Sequence, residues 1–260
     1  MEKNILLTIS YDGTDFHGWQ RQPEIKTVQG HLEKVLGRLF REDIILNGTS
    51  RTDAGVHALG QRASFKADIS IPTDRIARVA NNALAGCEKG SFAISPVRIL
   101  KAEEKPADFH ARFDSLGKKY IYKIRNTGDI DVFQRNYVYH VADKLNTAEM
   151  RKAAAAIAGT HDFKSFEASG GTERETTVRT VYSLDIIERA ADIELHVSGD
   201  GFLYNMVRII AGTLTEVGLG KLKSSDIPGI IEARDRSGAG HTAPPYGLYL
   251  AEVYYGQPDF

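Results

Sequence analysis

The segment SRTDAGVHALGQ, residues 50–61, places a cation and a carboxylate one residue apart. A positive charge near a carboxyl group favours the ionised form and lowers the pKa. An ionised Asp53 beside Arg51 is suited to act as a nucleophile or a base rather than as an acid. Spacing alone still favours the simpler alternative, an exposed ion pair in a loop, because such pairs are common and contribute little to stability.

Signatures of other chemistries do not occur in the sequence. The eight histidines are scattered, without the HxH or HExxH spacing of metal sites. No GxxxxGKS/T phosphate loop or GxSxG nucleophile elbow is found. Residues 238–243 match a dinucleotide loop only loosely, since no predicted strand precedes them and two prolines follow. Cys87, next to Gly86, is typical of a small packed residue.

Two further polar residues lie in strongly patterned segments. Alternation in GKKYIYKIR, residues 117–125, predicts a strand that carries Tyr120, where an aromatic ring could simply pack across strands. Apolar residues at helical spacing predict an amphipathic helix over 202–217. Arg208 lies in an apolar stretch of that helix, so it needs a partner if it is buried and otherwise occupies the exposed face.

Strand and helix patterns alternate along the whole chain and must position these residues. Helices are predicted near 28–39, with Thr27 as N-cap, near 73–84, and from Asn146 to Gly159, where Glu149 would complete a capping box. Further strands are predicted near 4–10, 43–49, 60–66, 92–101, 178–188, 192–198 and 248–255. Many strands with few, separated helices predict an α+β fold with a largely antiparallel sheet.

The composition of the 260 residues is that of an ordinary globular protein, with 42% hydrophobic and 26% charged residues. No apolar run approaches the ~20 residues that span a bilayer, and a single cysteine favours a reducing, cytoplasmic location. The net charge of -1 gives no support to nucleic-acid binding. A basic stretch over 115–128 and an acidic one over 185–194 would allow separate charged faces, although a mixed, solvated surface fits equally well.

The order of several motifs resembles the TruA family of tRNA pseudouridine synthases. The matching strings are YDGTDFHGWQRQ, SRTDAGVHALGQ, DFHARFDSLGKKYIYKI, DFKSFEASG, GFLYNMVRIIAGTLTEVGLGK and TAPPYGLYL. Each string alone is weak, but all of them in order are specific. The resemblance implies isomerisation of uridine to pseudouridine in tRNA, at the base of the anticodon stem, without a cofactor or metal.

Residue roles follow from the resemblance by motif position. Asp53 corresponds to the catalytic aspartate, which would attack C1' of the ribose or C6 of the base. Arg51 would assist the flipped state of the target nucleotide, Tyr120 would lie against its base, and Arg208 would pair with Asp53 and hold its oxygens. Weaker candidates for contacts with RNA are Arg21, Gln22, Lys118 and Lys119. Lys123 and Arg125, on the same predicted strand as the two lysines, are further candidates.

The resemblance also implies the architecture and the partners. It predicts a two-lobed pseudouridine synthase fold, α+β with a mixed but largely antiparallel sheet flanked by helices, and an active cleft between the lobes. A boundary near Pro106 would give lobes 1–106 and 107–260, the first with the aspartate loop. The expected partners are tRNA and a second copy in a homodimer. Two features depart from the family pattern: Ser50 in place of glycine, and the loop that contains Ala85 and Cys87.

Two other classes of protein remain open on the sequence. A non-catalytic RNA-binding module could share the fold, although Arg51, Asp53, Tyr120 and Arg208 are all present. A carboxylate-based glycosidase normally needs two carboxylates about 5–9.5 Å apart. The motif supplies only one, so a second would have to come from another segment, such as Asp12 or Asp15.

Overall fold

A computed structural model describes residues 2–86, 94–171 and 175–256. It contains ten strands and five α-helices within these ranges, which confirms the predicted α+β class. The chain forms two compact units, one of residues 1–116 with 250–255, the other of residues 117–249 with 256–260. In the described ranges, no helix has the length and apolar character needed to cross a membrane.

The first unit is built on antiparallel strands around a buried central strand. Its elements are β1 (Glu2–Tyr11), α1 (Val28–Phe40), β2 (Asn47–Gly48), β3 (His57–Asp68), α2 (Thr73–Leu84) and β4 (Val97–Lys105). β1 lies between β3 and β4 and is antiparallel to both. Ile5, Leu6 and Leu7 are fully buried, so both faces of β1 contribute to the core. Apolar burial on both faces makes this strand a rigid base for the loop that follows it.

The second unit repeats the combination of antiparallel strands and covering helices. Its elements are β5 (Gly117–Asn126), β6 (Tyr139–Val141), α3 (Thr147–Ile157), β7 (Gly159–Asp162), β8 (Val178–Arg189), β9 (Asp192–Gly199), α4 (Met206–Gly218), α5 (Ile227–Ala233) and the start of β10 (Leu248–Tyr254). The strand order is β5-β9-β8-β7, antiparallel throughout, with β6 parallel to β5. Residues 250–254 of β10 belong to the first unit, where they lie beside β3.

Helix signals in the sequence are largely confirmed. Thr27 caps α1 by accepting a hydrogen bond from the Gly30 amide, and α2 spans the predicted 73–84. Asn146 caps α3 by accepting from the Glu149 amide at 3.2 Å. The predicted capping box is only half formed, because the Asn146 amide donates to the Gly218 carbonyl instead.

Three predicted boundaries are wrong, and contacts or backbone conformation explain the first two. The helix predicted from 202 begins at Met206, because Asn205 adopts a left-handed conformation (φ 59°) that an α-helix cannot continue. The strand predicted over 43–49 is reduced to Asn47 and Gly48, because side chains of α1 occupy the backbone N–H and carbonyl of Leu46. The strand predicted from 92 begins at Val97, and residues 87–93, which include Cys87, lie outside the described ranges.

The basic stretch and the end of the acidic stretch lie on adjacent strands, β5 and β9. On β5, Lys123 lies opposite Glu194 of β9, and Arg125 lies opposite Asp192. The Arg125 guanidinium donates to both carboxylate oxygens of Asp192, with Nη2 at 3.1 Å from Oδ2. Because opposite charges pair across the strands, this face is mixed, and Arg125 is already engaged.

Candidate active site

The loop that carries Asp53 is fixed at its buried neighbour, Thr52. The Thr52 hydroxyl shares a 2.6 Å hydrogen bond with the phenol of Tyr11, at the end of β1. The Thr52 carbonyl accepts a hydrogen bond from the Trp19 amide at 3.0 Å. Thr52 is therefore held from two directions, by the central strand and by the loop after it, and this limits the movement of the next residue, Asp53.

The loop over residues 12–19 approaches the aspartate loop backbone to backbone. Gly18 has φ +83°, and a Cβ atom built on it would lie 2.5 Å from the Thr52 carbonyl oxygen. Both the conformation and the space therefore require glycine at this position. Trp19, almost wholly buried, fills the space behind the loop. The motif YDGTDFHGWQRQ thus supports the segment SRTDAGVHALGQ.

Asp53 and Arg51 differ in their environments. Asp53 is half-buried and Arg51 is exposed, with buried Thr52 between them. The Asp53 carbonyl accepts from the Val56 amide at 3.1 Å, which closes a tight turn. No strand includes residues 50–56, so Arg51 and Asp53 both lie in a loop. Asp53 is placed by the loop, partly shielded from solvent.

Ser50 has a buried hydroxyl at the start of this loop. Its residue is 3% exposed, and its backbone is bound by Gln61, whose Nε2 donates to the Ser50 carbonyl at 2.7 Å. Among the described residues, its Oγ has no hydrogen-bond partner. Burial separates this hydroxyl from solvent.

Arg21 lies at the end of the first loop and binds a buried acid. Its Nη1 is 3.0 Å from Oε2 of Glu33, whose side chain is only 6% exposed. Glu33 Oε1 also accepts from the Leu46 amide and from Gln29 Nε2, each at 2.9 Å. The charge of Arg21 is therefore used in part to compensate a buried carboxylate. Gln22, next along the chain, is exposed.

Sequence reasoning missed Gln29 and Glu33. Both are polar but lie on the buried face of α1, in helical register with each other. A signal was present, since polar residues four positions apart within an apolar stripe often form a structural hydrogen-bond network. Here the network joins α1 to the segment that precedes the aspartate loop.

Tyr120 lies in the second unit, on β5 opposite Val197 of β9. Only 8% of the residue is exposed, and its ring lies nearly perpendicular to that of Phe202, with centroids 5.3 Å apart. The residue is therefore fixed in orientation by packing. Lys118 and Lys119 are adjacent in the strand, so their side chains lie on opposite faces, and both are half-buried.

Arg208 is half-buried in the first turn of α4 and is oriented by two hydrogen bonds. Its Nε donates to the Ala243 carbonyl at 2.8 Å, and its Nη1 donates to Asn205 Oδ1 at 2.8 Å. Burial raises the pKa of Tyr122 well above its usual value, and the nearby Arg208 charge opposes that increase. The alternative of a freely solvated arginine is thus excluded, because two acceptors define its direction.

Comparison with known proteins gives the class to which this scaffold belongs. A family model described as tRNA pseudouridine synthase matches residues 7–114 and 153–256, which include Asp53 and Arg208 but not Tyr120. The chain therefore belongs to the tRNA pseudouridine synthase family. Within the described ranges, no group of three or more histidine, cysteine or acidic side chains is arranged to hold a metal ion.

Similar proteins cover almost the whole chain. A protein of Clostridium tetani named tRNA pseudouridine synthase A 2 is 46% identical over 98% of this chain and its own full length. A Ruminiclostridium cellulolyticum protein named tRNA pseudouridine synthase A is 49% identical over 97% of this chain, also across its full length. An Acetivibrio thermocellus protein of the same name is 45% identical with the same coverage.

Replacing Tyr11 with phenylalanine is expected to slow turnover as well as to lower stability. The change removes the 2.6 Å hydrogen bond to Thr52 and costs about 1–3 kcal/mol, since a buried hydroxyl loses a partner. Calorimetry and kcat on tRNA would measure both effects. Tyr249→Phe, which removes a similar phenol bond to the Tyr137 carbonyl, should lower stability alone. Equal kcat values for the two variants would show that Tyr11 does not position the aspartate loop.

Proposed function

We propose that this chain isomerises uridine to pseudouridine in tRNA, with Asp53 as the catalytic group. The observation that carries the proposal is the half-buried Asp53 in a loop braced by Tyr11 and Trp19, within a chain of this family. In the reaction, the bond from N1 of the base to ribose C1' breaks and a bond from C5 to C1' forms. The proton leaves C5 and N1 gains one, so that no oxidant, reductant or external group is required.

Asp53 performs this reaction as an ionised nucleophile. Its carboxylate reacts either at C1', which holds the ribose while the base turns, or at C6, which holds the base. Both routes need a deprotonated oxygen at a defined position. Partial burial of Asp53 reduces competition from water, and the fixed Thr52 supplies the position.

The target uridine must leave its stack to reach a half-buried carboxylate. Flipping a nucleotide costs a few kcal/mol, and contact with an aromatic side chain returns about 1–3 kcal/mol per base. Tyr120 takes this role in our proposal, because packing against Phe202 fixes its ring. Arg51, which is exposed in the same loop as Asp53, assists by holding the flipped nucleotide.

Arg208 completes the catalytic set. A guanidinium that is already oriented by Ala243 and Asn205 can bind a carboxylate or substrate oxygen without reorganising. Lys118, Lys119, Arg21 and Gln22 contribute weaker contacts to phosphate or sugar. A homodimer in the cytoplasm would combine basic surface from two nearly neutral chains to bind the anticodon stem-loop of tRNA.

Incubation of the purified chain with unmodified tRNA, without cofactor or added metal, tests the proposal. Mapping should find pseudouridine in the anticodon stem-loop, and a transcript with those uridines replaced by cytidine should remain unmodified. Binding of tRNA without product would favour a non-catalytic RNA-binding module instead. Pseudouridine found outside the anticodon stem-loop would support the proposed reaction but contradict the proposed target site on the tRNA.

A further inference from the structure

A segment of the second unit, residues 239–247, lies along α4 and is bound to it at several points. We name this segment the strap. The Gly240 amide donates to Thr213 Oγ1 at 3.0 Å. The Ala243 amide donates to the Arg208 carbonyl at 3.1 Å, and the Ala243 carbonyl accepts from Arg208 Nε at 2.8 Å. The strap therefore forms part of the environment that orients Arg208.

Gly212 sets the distance between the strap and the helix. A Cβ atom built on Gly212 would lie 1.8 Å from the His241 carbonyl oxygen. No side chain fits between the two backbones, so the strap contacts the helix surface directly. A displacement at His241 would therefore be transmitted along the backbone to Ala243, two residues away.

Glu216 fixes the strap at His241, two turns of helix from Arg208. Its Oε1 accepts from the His241 amide at 2.9 Å and from His241 Nδ1 at 2.8 Å. Burial raises the pKa of Glu216, but the hydrogen bonds from the His241 amide and ring, together with the charges of His241 and Lys221, lower it by more. The pKa of Glu216 therefore lies below its usual value. The carboxylate is thus held in its ionised form, which is the better acceptor.

Tyr139 holds the other side of the imidazole. With Nδ1 donating to Glu216, the neutral ring has Nε2 as an acceptor, and the Tyr139 phenol lies 3.2 Å from it. Burial, with Tyr246 and Glu216 nearby, raises the pKa of Tyr139, so its hydroxyl keeps its proton. Glu216, His241 and Tyr139 form a chain of hydrogen bonds that reaches the strap.

We propose that Glu216 and His241 are positioning residues for Arg208. They hold the strap so that the Ala243 carbonyl accepts a hydrogen bond from Arg208 Nε. The hydrogen bond from Arg208 Nη1 to Asn205 then orients the rest of the guanidinium. This inference rests on the proposed catalytic role of Arg208. It adds Glu216 and His241, which lie away from Arg208, to the residues on which turnover depends.

Glu216→Ala is expected to lower kcat by about 10- to 100-fold, in the range that a small misplacement of a catalytic group produces. KM for tRNA should change little, because the lost contacts join the strap to α4. Glu216→Gln keeps an oxygen that accepts from both His241 groups and should restore most of the rate. Glu188→Ala, which removes an exposed ion-paired carboxylate in the same unit, is the matched control and should leave kcat unchanged.

Combining the variants separates this inference from the proposed function. If Glu216 acts through Arg208, Glu216→Ala should cause little further loss in an Arg208→Ala background. Additive losses, or a wild-type kcat in Glu216→Ala, would overturn the inference while the role of Arg208 stands. An unaffected Arg208→Ala would refute the catalytic role itself. Should Glu216→Ala fail to fold, His241→Ala, which keeps the backbone bond, gives the same comparison with a smaller loss.

Discussion

Asp53→Asn is expected to abolish pseudouridine formation while tRNA affinity stays within about tenfold, or ~1.4 kcal/mol. Asparagine has nearly the same shape, so the loop bonds through Thr52 and the Asp53 carbonyl should persist. Its amide is neutral and a poor nucleophile, so neither C1' nor C6 would be attacked. Single-turnover assays with excess enzyme would measure the chemical step, and filter binding would measure affinity.

Asp15→Asn is the matched control for this prediction. It makes the same chemical change at an exposed aspartate in the neighbouring loop. Its activity should equal that of the unaltered chain. Full activity of Asp53→Asn would remove Asp53 from the mechanism. Loss in both variants would instead favour a mechanism with two carboxylates, as in glycosidases.

The elements that carry the site were predictable because their signals are local. Thr27 and Asn146 are helix N-caps in both sequence and structure, since a short polar side chain can bind the amide three residues ahead. The alternation of residue types around Tyr120 also predicted a strand correctly, because successive side chains of a strand point to opposite faces. The predicted roles of Asp53, Tyr120 and Arg208, by contrast, came from the order of motifs and stay predictions.

The remaining features depend on contacts between distant segments. Glu33 binds the Leu46 amide from 13 positions away, which shortens a strand that its own pattern predicted to be longer. Glu216 binds His241 across 25 positions, and nothing in the local sequence of either residue indicates this. Apolar periodicity identifies which face of an element is buried, but it does not identify the partner of a polar group on that face.

Arg208→Ala is expected to lower kcat by about 10²–10³-fold, the usual loss when one preorganised donor is removed from an active site. The two hydrogen bonds to Ala243 and Asn205 show that the guanidinium is oriented before substrate binds. Its positive charge would bind the charge that develops on the substrate. Arg208→Lys should recover only part of the rate, because an ammonium group lacks the planar set of donors.

Circular dichroism and thermal melting should show that Arg208→Ala remains folded, since the backbone bond from the Ala243 amide to the Arg208 carbonyl does not need the side chain. Arg151→Ala, at an exposed arginine paired with Glu188 in the same unit, controls for loss of positive charge and should retain full kcat. If both variants raise KM equally and leave kcat intact, Arg208 attracts tRNA through charge alone. A fall in kcat confined to Arg208→Ala assigns the guanidinium to the chemical step, where its direction and not merely its charge determines the rate.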